Sequence, residues 1–171
     1  MLNKVVNEKI KEDIISKFKT AKNFNKTSLE LLEELKKNNF KNKHNLITII
    51  FLHFNILELI IKIVYEIDKD KIAPYTHNIF KIYNDLSERY QKYLENEFEK
   101  INIKSKKILT STNIKYNSFK DVLKSNENNI KNFKYTSKIS ENTTLLFSYI
   151  NKILNKIENE FIKTIHNLEK H

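Results

Sequence analysis

The run NLITIIFLHFNILELIIKIVYEI, residues 45–67, constrains this chain more than any other stretch. Sixteen of the 22 residues from Leu46 to Ile67 are apolar or tyrosine. At 100° per residue the polar ones, Thr48, Asn55, Glu58, Lys62 and Glu66, fall in a stripe about 80° wide, with His44 on the same line. Glu58, Lys62 and Glu66 are also i, i+4 neighbours of alternating charge, which supports a helix. A helix apolar around most of its circumference is either a membrane span or the central helix of a bundle. Length allows a span, since about 20 residues cross a bilayer. Glu58 and Lys62 weigh against it, because each charge at bilayer depth costs roughly 3 kcal/mol, and no second apolar run of that length exists. The expectation is a buried central helix and no membrane. Its stripe reads as a solvent strip, the alternative being the lining of a cleft or dimer seam; in either case Glu58 and Lys62 pair, while His53, about 140° away, faces the core.

The chain has no glycine and one proline. Phosphate-cradling loops, dinucleotide-binding turns and Gly-bearing nucleophile elbows need backbone positions that glycine fills, so those classes are excluded. β-Proteins lose their usual turn formers as well. An all-α fold follows, an antiparallel bundle of four to five helices around the buried helix at about 45–67. At 171 residues it reads as one domain, with 1–25 a helical N-terminal extension and 28–168 the core. The absence of cysteine removes disulfides, thiolate metal sites and Cys nucleophiles. MLNKVVNEKIKEDII lacks the uninterrupted apolar stretch of a signal peptide, which reads as cytoplasmic.

Along the chain, Val6, Ile10, Ile14 and Phe18 space a first amphipathic helix over 4–19. TAKNFNK (20–26) either breaks or continues it, and Thr27 with Glu30 has capping-box spacing for a new start. After the central helix, Pro74 marks a loop and Thr76 an N-cap. From His77 the positions Ile79, Tyr83, Leu86, Tyr90, Leu94, Phe98 and Ile101 trace one stripe on a helix of roughly seven turns. Ser118 and Asp121 cap a short helix through Leu123. A closing helix from about Glu141 has its stripe at Leu146, Ile150, Ile153, Ile157, Phe161, Ile165 and Leu168.

Chemistry is sparse. Among His44, His53, His77, His166 and His171 no two share the i, i+3 or i, i+4 spacing of metal ligands on a helix, so no metal or cofactor is expected and no catalytic residue is assigned. His77 stands as the other candidate polar residue, at the start of a helix. The carboxylates around Glu95–Glu99 read as a solvated face. The net charge of +10 points to a polyanion such as RNA, or else to AT-rich codon usage, since lysine outnumbers arginine 30 to one. Lys131, Lys134 and Lys138 interleave with Phe133 and Tyr135. That pairing of cations with aromatics suits single-stranded RNA, where it supplies phosphate neutralisation and base stacking. The alternative is that Phe133 and Tyr135 anchor the loop to the bundle.

The order of parts resembles the HEPN superfamily. The resemblance covers roughly 28–168: a short helix ending in ELKKNNFKNKHN, a long helix with ILELIIKIV, THNIFKIYNDL (76–86), a long helix, SFKDVLKSNENNIKNFKY (118–135) and a closing helix. Its details are Glu58 and Lys62 four apart, the His77-Asn78-Ile79 opening, and Phe133-Lys134-Tyr135. The resemblance implies a small all-α bundle, dimeric, from phage-defence or toxin–antitoxin systems, with RNA or an antitoxin protein as partner. Active members are metal-independent endoribonucleases carrying an Arg-x4–6-His motif. Here the sole arginine, Arg89, is followed by YQKYLENEFEK, without a histidine in range. Lys71 precedes His77 by six, across the proline loop. The resemblance therefore implies a member without the standard nuclease pair. A structural interaction bundle and an unconventional nuclease built on His77 are the other readings.

Overall fold

Helix α2, Lys43–Lys69, is the longest apolar element of the computed structural model, which describes residues 7–39, 42–108, 118–126 and 142–162. Ile49, Ile56, Leu57, Ile60, Ile61, Ile63, Val64 and Ile67 are all buried, so most of its circumference is covered, as its sequence requires. Three elements pack on it: α1 (Glu8–Lys37), α3 (Ile79–Asn84) and α6 (Asn142–Ile157, continued by a π-helical turn Glu158–Ile162). Helices α4 (Glu88–Ile108) and α5 (Phe119–Asn126) complete the all-α fold. No strand occurs among the described residues. By length and composition α2 could cross a membrane, and half of its most apolar window is buried inside the fold.

Helix α1 runs unbroken through 20–26, so Thr27 starts no new helix. The polar look of TAKNFNK misleads because its inward positions are small. Ala21, Asn25 and Ser28 are all buried, and small side chains at helical spacing let neighbouring helices approach. Asn25 donates from Nδ2 to Asn151 Oδ1 on α6 at 2.9 Å, and Ser28 Oγ donates to the Asn25 carbonyl at 2.8 Å. The turn into α2 places Asn39 at φ 49°, and Asp70 beyond α2 stands at φ 52°. In a chain without glycine these two take the left-handed positions, which Asn and Asp tolerate through local hydrogen bonding.

The single helix expected from His77 is two. Helix α3 closes on Asp85, whose N–H bonds back to Lys81 and Ile82 carbonyls, and α4 begins after Ser87. The cause lies in another element. Asp68, at the end of α2, accepts both the Ser87 N–H at 2.7 Å and its hydroxyl at 2.8 Å. Gln91 then donates to the Asn84 and Leu86 carbonyls left open by the break. The apolar stripe survives it: Ile79, Tyr83, Leu86, Tyr90, Leu94, Phe98 and Ile101 are all buried. Asn78, not Thr76, caps α3, accepting from Lys81 N–H at 2.8 Å.

The far end of the core is aromatic. Phe98, Phe119, Tyr83 and Tyr149 meet with ring centroids 4.7–5.9 Å apart, linking α3, α4, α5 and α6. Ile150, Ile153, Ile157 and Phe161 point inward as the closing stripe requires, while Ile165 and Leu168 lie outside the described residues.

Candidate functional site

Two residues read separately from the sequence meet in the structure. Glu58 and Lys62 pair across one turn of α2 at 2.7 Å. The loop after α2 then folds back and sets His77 Nδ1 3.1 and 3.0 Å from the two Glu58 carboxylate oxygens. A carboxylate only accepts, so Nδ1 is the donor in this contact, and Nε2 is the ring nitrogen that Glu58 does not engage. Glu58 is buried, whereas the His77 side chain is 77 % exposed. This is an imidazole oriented by a shielded carboxylate and open to solvent, the arrangement that proton transfer uses. Asn55, one turn earlier on the stripe, bonds its own helix through Nδ2 and the Phe51 carbonyl at 2.8 Å.

The stripe on α2 is not the solvent strip expected. It begins exposed at His44 and Thr48 but ends with Glu58 and Glu66 buried. Glu66 is 0 % exposed because α1 and the loop cover it. Lys17 of α1 reaches its Oε1 at 2.8 Å, and the Ala73 N–H donates to the same oxygen at 2.9 Å. Burial pushes the Glu66 carboxyl above its usual range, although Lys17 and Ala73 pull the other way. His53 faces the core as expected, and burial lowers its pKa to about 4.

The carboxylates of α4 are likewise not a uniformly solvated face. Glu97 is buried and gathers three lysines: Lys100 at 2.7 Å, Lys152 at 2.8 Å and Lys156 at 3.1 Å. Burial alone would raise its pKa, but hydrogen bonds from those lysines outweigh it and hold the carboxyl at about 2. Glu95 accepts the Phe119 and Lys120 N–H groups at 2.7 and 2.8 Å, capping α5, and the Tyr83 hydroxyl at 2.8 Å. Local spacing shows only the Lys100 pair, three residues from Glu97; the other partners lie farther along the chain.

Lys131, Lys134, Tyr135 and Lys138 fall outside the described residues. Their neighbourhood is nevertheless distinctive in charge. Residues 100–138 hold ten lysines and two carboxylates, a net +8 of the chain's +10. The rest of the chain is therefore close to neutral.

Among the described residues no group of His, Asp and Glu is arranged to hold a metal ion. An open polar hollow of about 490 Å³, lined by Lys37, Asn38, Asn39 and Asn42, lies at the start of α2. Sixteen residues of helix, roughly 24 Å, separate it from Glu58. The His77 ring, 77 % exposed over a buried Glu58, is open to solvent, which suits an extended ligand better than an enclosed small molecule. No family model, curated protein or solved structure matches this chain.

Proposed function

We propose that this chain is a HEPN-like antiparallel bundle, cytoplasmic and dimeric, that binds single-stranded RNA in a phage-defence or toxin–antitoxin setting without the Arg-x4–6-His nuclease pair. The observation that carries the RNA reading is the segregation of charge. Codon bias that enriches lysine does not also strip acids from one segment, yet 100–138 has two carboxylates among 39 residues. Elsewhere lysines are nearly balanced by acids, several of them carboxylates turned inward, as where Lys62 meets Glu58, Lys17 meets Glu66, and Lys152 and Lys156 meet Glu97. Tyr116, Phe133 and Tyr135 interleave with the lysines of that segment, which is the composition that grips unpaired bases and phosphates together.

Titration of a uridine oligomer against salt tests this. Affinity falls linearly in log–log form as salt rises. Replacing Lys131, Lys134 and Lys138 with glutamine reduces the slope by about 2, at about 0.7 per phosphate contact on single strands. No binding at low ionic strength would leave the protein as an interaction bundle for a protein partner such as an antitoxin.

One contact favours a second reading, a metal-independent endoribonuclease. His77, held through Nδ1 by Glu58, offers Nε2 as a base toward a ribose 2′-hydroxyl. Under this reading RNA is cleaved in the presence of chelator. His77→Ala abolishes cleavage, and Glu58→Gln reduces it, with circular dichroism unchanged. Unaltered cleavage in His77→Ala removes the reading.

A further inference from the structure

The loop between α2 and α3 is pinned from both sides yet holds a wholly exposed aromatic ring at its tip. Glu66 holds the Ala73 N–H before the tip, and Glu58 holds the His77 ring after it. Between them the Thr76 N–H bonds the Pro74 carbonyl at 2.8 Å, and Thr76 Oγ1 accepts the Asn78 N–H at 3.1 Å. Pro74 restricts its own backbone. Two buried carboxylates from the central helix therefore fix a tip whose side chain, Tyr75, contributes nothing to the core and is 102 % exposed. A lone exposed apolar residue needs no explanation. A rigidly presented one differs, because a ligand that stacks on it orders no backbone in doing so.

Exposed charge beside the tip is mixed, Asp70 next to Lys71, and Lys71 is the cation an anionic ligand there would meet. Glu58, Glu66 and Asp68 point inward, with Asp68 holding Ser87. Asp70 is exposed, and its Oδ1 is taken by the Asn7 N–H at 3.1 Å. Lys71 and Lys81 are exposed, and Lys71 Nζ stands 5.5 Å from the Tyr65 ring centroid, which holds its stem in place. His77, also exposed, is two residues from Tyr75.

We propose that Tyr75 is the base-stacking platform of a single-stranded RNA subsite, with Lys71 contacting phosphate and the His77 ring beside the same nucleotide. The proposal rests on the RNA-binding reading above and places a contact at the loop between α2 and α3 as well as on 100–138. Stacking requires an unpaired base, so the ligand is single-stranded, and it discriminates little among bases.

The chain has no tryptophan, so Tyr75→Trp creates a single fluorescent probe at the tip. A uridine oligomer quenches it on binding, and an abasic oligomer of the same length binds with little quenching. Tyr75→Ala weakens uridine-oligomer binding about tenfold or more without changing the salt slope, Tyr75→Phe retains affinity, and Lys71→Gln lowers the slope by about 0.7. Wild-type binding that is untouched by Tyr75→Ala, or equal quenching by the abasic oligomer, overturns the platform and leaves RNA binding through 100–138 standing. If the wild-type protein fails to bind RNA at low salt, both fall.

Discussion

At the scale of single residues, two buried ionisable groups set how the protein answers to acid. His53 is neutral in the core, its pKa lowered by burial from 6.5 to about 4. Between those values the unfolded chain binds a proton that the folded chain refuses, so stability falls as pH drops through the window, by up to about 3 kcal/mol. His53→Leu should flatten that part of a urea-midpoint profile. Glu97 acts in a lower window. Its folded pKa, about 2, lies below the ordinary 4.5, so its contribution is complete above 4.5 and is lost as pH falls toward 2. Glu97→Gln leaves three lysines facing one another. It should cost about 2 kcal/mol at pH 7, moderated because those lysines reach solvent, and remove the lower limb of the same profile.

At the scale of elements, what ends a helix here is often another helix. The break between α3 and α4 depends on Asp68 gripping Ser87. Burial would raise the Asp68 carboxyl, but hydrogen bonds from Ser87 leave it below its usual range. Ser87→Ala removes the hydroxyl bond and keeps the N–H one, so it should cost about 1 kcal/mol in denaturant unfolding; Asp68→Ala removes both and should cost about 2 kcal/mol, and the double variant little more than Asp68→Ala, because the hydroxyl bond is already gone. Ser118 caps α5 as its position in the sequence suggests, its Oγ accepting the Asp121 N–H at 3.0 Å, and Glu95 takes the two preceding amides from another helix. Glu95→Gln should speed hydrogen exchange at the amides of Phe119 and Lys120, with α2 unaffected.

At the scale of the whole molecule, α2 sets the architecture, and charge is divided between a nearly balanced remainder and the basic stretch 100–138, which takes in the end of α4 and all of α5. The dimer expected from the HEPN resemblance has a direct readout: light scattering should return twice the 20.5 kDa of one chain. A mass of 20.5 kDa at micromolar concentration would remove the dimer from the proposal.

The sequence by itself determined the helical class, the central place of residues 45–67, the inward direction of His53 and the Glu58–Lys62 pair. All of these follow from periodicity and from spacing within one helix. Tertiary structure decided the rest. It carried α1 through TAKNFNK, because small residues there face a neighbour; it broke the helix, though not its stripe, at Asp85, because Asp68 holds Ser87; and it buried Glu66 and Glu97 beside lysines on other helices. It also brought His77 to Glu58, nineteen positions away. A carboxylate at helical spacing looks the same in sequence whether it meets water or a distant lysine, since the partner that stabilises it is chosen by packing and not by the local pattern.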